Sequence, residues 1–64
     1  MNMTKIKQMR LLRHLTQRQL AQKVGVKPPT VHTLETKGIY DTRTAKRYAA
    51  ALGCSPLFLL DGLD

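Results

Sequence analysis

Thr16-Gln17-Arg18-Gln19-Leu20-Ala21-Gln22-Lys23-Val24-Gly25-Val26 decides how this chain folds. Thr16 and Gln19 have the spacing of a capping box, with a hydroxyl for a backbone N–H and an amide to reach back. Leu20 and Val24, four apart, share one helical stripe, and the small Ala21 beside them lets a second helix approach closely. Gly25 falls where a left-handed residue closes a helix, and Val26 supplies the hydrophobic contact that accompanies such a cap. The stretch predicts a short helix ending in a tight turn.

Working downstream, Lys27-Pro28-Pro29-Thr30 opens a second helix. Proline suits a first helical turn because those N–H groups lack intrahelical acceptors, so the helix starts at Pro28 or Pro29. Val31 and Leu34 form its inward side, His32, Thr33 and Thr36 point away, and Gly38 stops it. Two short helices joined through a glycine, the second with small polar groups outward, have the layout of a helix-turn-helix over about residues 16–37.

The flanks read as helices too. Lys5 to His14 starts from Thr4 as N-cap, with Ile6 and Met9 on one face; Arg10 and Arg13 fall close to that apolar side, so each needs a partner. After a loop at Ile39 to Thr42, Arg43 to Leu52 turns Tyr48, Ala49 and Leu52 inward and stops at Gly53. Ser55-Pro56 is an N-cap followed by proline, predicting a fifth short helix through Leu57-Phe58-Leu59-Leu60. No sustained two-residue alternation occurs. The expectation is one all-α domain of five helices spanning 1–64.

Sixty-four residues suffice for one small core, burying roughly 60% of the unfolded surface. The chain carries 11 Lys and Arg against 4 Asp and Glu, a formal +7. All of that surplus lies in residues 1–37, where eight bases face Glu35 alone; residues 38–64 are neutral. A basic half joined to a neutral half suits a polyanion partner. One cysteine makes no internal disulfide, and two histidines with it are too few for a structural zinc site. No apolar run approaches a membrane span and no signal peptide opens the chain, so a reducing cytoplasm is the expected home.

The run Leu15-Thr16-Gln17, Leu20-Ala21, Val24-Gly25-Val26, Val31, Leu34-Glu35 and Gly38, followed by Ala49-Ala50-Ala51-Leu52-Gly53, resembles the lambdoid phage repressor and Cro family over roughly residues 5–62. That resemblance implies a five-helix DNA-binding domain whose third helix enters the major groove. Gln17 matches a glutamine with which relatives hold a DNA phosphate. Lys27, Pro28, Pro29, Thr30, His32, Thr33 and Thr36 match the groove-facing positions. Relatives often carry glutamine or serine where this chain has Pro28 and Pro29, and a proline ring offers bases only apolar contact. Direct readout therefore falls mainly on Lys27, His32 and Thr33. Lys37, Tyr40, Arg43 and Thr44 match positions that grip the backbone, and Arg10 with Glu35 matches the family's buried ion pair.

One recognition helix reads only a few base pairs, so specificity calls for a pseudo-palindromic operator bound by a weak homodimer that DNA strengthens. Helical spacing turns Leu59 and Leu60 inward and leaves Leu57 or Phe58 outward beside the Ile39–Thr42 loop, making Leu57 and Phe58 the expected dimer surface. The chain stops just after the fifth helix, which reads as a Cro-type phage or prophage repressor unless it is an excised amino-terminal fragment. Two other readings stay open: a helix-turn-helix antitoxin or autoregulator, and a cationic module for membranes or acidic proteins. Catalysis is not expected, since His14, His32 and Cys54 have no acid at a recognisable spacing. Neither a cofactor nor a small-molecule substrate is called for.

Overall fold

The computed structural model describes residues 3–62. Four α-helices follow in order: α1 (Lys5–Leu12), α2 (Gln17–Val24), α3 (Pro28–Lys37) and α4 (Thr42–Leu52). A 3-10 turn, Pro56–Phe58, comes after them. The domain is all-α among the described residues, but with four helices where the sequence predicts five.

The fifth helix is shortened for a local reason. Ser55 caps the segment as expected, its Oγ accepting the Leu57 N–H, and the Leu59 N–H closes back on Pro56 O. Leu59 and Leu60 then both turn into the core, and Leu60 forms an isolated parallel bridge with Ile39. Adjacent residues cannot share one helical stripe while the chain also runs extended beside a neighbour, so the helix stops after a single turn.

The capping box of α2 is present in both directions: Thr16 Oγ1 accepts the Gln19 N–H, and Gln19 Oε1 accepts the Thr16 N–H. Gly25 takes φ +87°, and its N–H and that of Val26 both end on Ala21 O. A β-carbon is disfavoured at that φ, which is why glycine closes this helix. α3 begins at Pro28.

α1 ends earlier than the sequence predicts. His14 takes φ +58°, and the Leu15 N–H reaches Arg10 O, so His14 occupies the left-handed closing position that glycine fills elsewhere. Thr4 is the N-cap residue, yet its hydroxyl donates to Glu35 O instead of capping. Asp61 supplies what Thr4 does not. Its Oδ1 accepts the Lys5 N–H and its Oδ2 the Ile39 N–H, placing a carboxylate at the positive end of α1 and tying the chain's end to the turn after α3. Gly38 is required there, since a β-carbon would come within 2.8 Å of Asp61 Oδ2.

The core gathers Ile6, Leu20, Ala21, Val31, Ala45, Tyr48, Ala49 and Leu52 from the four α-helices, with Ile39, Leu59 and Leu60 from the segments that follow α3 and the 3-10 turn. Leu34 packs against it half-buried. Arg13 spans to the end of α4, donating to Leu52 O at 2.9 Å and Gly53 O at 3.2 Å, a cation against the negative pole of that helix. None of these helices is long and apolar enough to cross a membrane.

Candidate nucleic-acid interface

α3 divides cleanly. Val31 and Glu35 are buried, while Lys27, Pro28, Pro29, Thr30, His32, Thr33, Thr36 and Lys37 are exposed. The predicted reading residues thus share one open face. Thr33 Oγ1 donates to Pro29 O and Thr36 Oγ1 to His32 O, each at 3.0 Å. A hydroxyl has one hydrogen, so each threonine presents acceptor lone pairs and a methyl outward and no donor. Lys27, Thr30 and His32 are left as donors on this face.

Beneath the face lies a buried ion pair. Arg10 and Glu35, the predicted partners, are 8% and 7% exposed. Arg10 Nε donates to Glu35 Oε2 and Nη2 to Oε1 at 3.0 Å, a bidentate fork, while Nη1 donates to Leu15 O at 2.7 Å. Burial pushes the Glu35 carboxyl up, but the bonds from Arg10 and Gln17 and the Arg10 charge outweigh it and hold the group below its ordinary value. The Arg10 on the apolar side of α1 is explained: it pins α1 to the end of α3.

Gln17 joins the same cluster. It is half-buried, and its Nε2 donates to Glu35 Oε1 at 3.0 Å and lies 3.5 Å from His32 Nδ1. The side chain for which the resemblance implies a phosphate contact is thus engaged within the protein. The backbone N–H groups of Gln17 and Arg18, in the first turn of α2, have no intrahelical acceptor.

On the other flank, Tyr40 and Arg43 are exposed and Thr44 half-buried. Asp41 caps α4 through Oδ2, which accepts the Thr44 N–H at 2.8 Å and holds the Asp41 carboxyl below its usual range. Tyr40 lays its ring beside Gly38 and Gly62. Between α3 and α4 runs an open groove of about 490 Å³, floored by Val26, Leu34 and Tyr48 and rimmed by Thr33, Arg43 and Arg47. Arg47 went unnoticed in the sequence, although its four-residue offset from Arg43 puts both guanidinium groups on one face of α4. Lys37, Tyr40, Arg43 and Thr44 thereby carry the basic surface from α3 onto α4.

Leu57 and Phe58 are 64% and 61% exposed, as the sequence predicts. Where the sequence places them beside the Ile39–Thr42 loop, the groove they line takes its other wall from α1, through Met9 and Leu12. Cys54 is half-buried, and burial pushes its thiol up, away from nucleophilic use.

A helix-turn-helix family model matches residues 6–59. Over 58 residues, 91% of the chain, the sequence is 40% identical to the HTH-type transcriptional regulator PrtR of Pseudomonas aeruginosa, of which it spans 23% of the length. The arrangement of α2 and α3 about Gly25 and the extent of the family match agree, and the chain belongs to the helix-turn-helix family.

Proposed function

We propose that this chain is a sequence-specific DNA-binding transcriptional regulator, a repressor of the phage or prophage Cro type, that sets α3 in the major groove of a pseudo-palindromic operator. The observation that supports this best is the composition of the continuous exposed face running from α2 through α3 to the start of α4. It collects Lys27, Lys37, Arg43 and Arg47. The acids nearest to it, Glu35 and Asp41, are committed to Arg10 and to the cap of α4. Such a face, with four cations against one exposed carboxylate, attracts a phosphate backbone.

Within that reading, Lys27, His32 and Thr33 meet base edges, with Thr30 and Thr36 beside them and the Pro28 and Pro29 rings against apolar base surface such as a thymine methyl. Phosphates are held by the backbone N–H of Gln17 at the start of α2 and by Lys37, Tyr40, Arg43 and Thr44. The protein works in the cytoplasm, and two copies pair through Leu57 and Phe58, weakly alone and more firmly on the operator.

Fluorescence anisotropy of a labelled random duplex, titrated with salt, tests the reading. Affinity should fall steeply, with a log–log slope of about −3.6 to −5.4 if four to six phosphates are neutralised. A flat response overturns DNA binding.

A further inference from the structure

We propose that the Gln17 side chain acts as a positioning residue for His32, fixing its ring tautomer so that α3 presents an N–H donor to the bases. The inference rests on the DNA-binding reading above and assigns one residue of that interface a different task. It starts from the orientation of the Gln17 amide. Glu35 Oε1, 3.0 Å away, is a carboxylate oxygen that only accepts, so the group facing it must be the NH2 and not the carbonyl. One amide hydrogen goes to Glu35. The other has His32 Nδ1, 3.5 Å from the same nitrogen, as its neighbour.

A nitrogen that faces a donor must itself be the acceptor. In a neutral imidazole that puts the ring hydrogen on Nε2, the far side of a side chain already exposed on the reading face. Thr33 and Thr36 spend their hydroxyl hydrogens within α3, so this outward N–H is the donor that complements them. It suits base-edge acceptors, purine N7, guanine O6 or thymine O4, and disfavours the amino groups of cytosine and adenine.

The arrangement reaches back to the core. Arg10 holds Glu35, Glu35 holds the amide of Gln17, and Gln17 holds the ring of His32. Each link is a donor on an acceptor. With both its hydrogens engaged, the Gln17 amide has none left for a phosphate, which is served instead by the free N–H groups of the same helical turn.

Two measurements test this. In the free protein, the 15N shifts of the His32 ring should report the Nε2–H tautomer, and in Gln17→Met they should move toward a mixture of tautomers. In selections from random duplexes, wild type should show a preference at one base pair of each half-site that His32→Ala abolishes. Gln17→Met should weaken that preference by about fivefold or more, the low end for a lost base contact. A wild-type ring carrying its hydrogen on Nδ1 overturns the proposal without any variant having to fold. Equal weakening of every duplex by Gln17→Met, with the preference kept, also overturns it and makes the side chain a phosphate grip. A wild-type protein that binds no duplex overturns the underlying reading as well.

Discussion

Glu35 is the residue on which most depends, because one carboxylate serves α1, α2 and α3 at once. Its two oxygens take three bonds, two from Arg10 and one from Gln17, and its backbone carbonyl takes the Thr4 hydroxyl. Truncation would leave the Arg10 guanidinium buried without its counter-ion. Glu35→Ala should therefore cost about 3–5 kcal/mol, much of what a domain of this size possesses. Chemical denaturation checks it, and a midpoint that barely moves would mean the pair is solvated. Acid adds a second reading of the same contact. The folded carboxyl is held below its ordinary value of 4.5, so its contribution is complete above that value and is lost as pH falls through the depressed one. Glu35→Gln should flatten the acid limb of the stability curve, leaving the rest of the curve's shape unchanged.

The helices were readable where local chemistry fixes their ends and unreadable where distant partners do. Thr16, Gln19 and Gly25 act on their own turn of chain, and the boundaries of α2 follow from them. Pro28 does the same for α3. By contrast, the amide at the start of α1 is satisfied by Asp61, more than fifty residues away, and no spacing rule pairs them. The last segment has a correct cap at Ser55 and a correct proline, but the bridge from Leu60 to Ile39 prevails over both. His14 marks the other limit, since histidine gives no sign that it will adopt a left-handed backbone. That position yields a prediction. A non-glycine residue there costs on the order of 1 kcal/mol, and the His14 side chain is exposed. His14→Gly should thus raise the unfolding midpoint, or leave it level once the added freedom of the unfolded chain is counted. A clear drop would show that the imidazole itself stabilises the end of α1.

Taken whole, the molecule separates two kinds of surface, and the sequence disclosed them unequally. The exposed face proposed to read DNA was visible because every member of it lies on α3 or within a turn of its neighbours, so periodicity alone brings Lys27, His32, Thr33 and Thr36 together. The link between Gln17 and His32 was hidden, because it depends on the angle at which α2 and α3 pack. The apolar groove was half visible: Leu57 and Phe58 stood out, but Leu12, 69% exposed, joins them only when α1 folds across the 3-10 turn. Geometry connects the two surfaces. Under the proposed function a single recognition helix meets few base pairs, so the operator would need two half-sites about 34 Å apart, one turn of duplex. The domain measures 29 × 25 × 19 Å, so one copy is of the size that a half-site of such an operator accommodates. Three exposed apolar side chains make a contact well short of a standard interface, so under the proposed function the pair would form chiefly when DNA holds both copies. Phe58→Ala removes the largest of the three without opening the core, since that ring is already 61% exposed. It should abolish cooperative binding to a two-half-site duplex and leave affinity for a single half-site within about twofold, a change under 0.5 kcal/mol. Titrating both duplexes in parallel decides the matter: equal losses on the two would assign Phe58 to stability and move the dimer contact elsewhere.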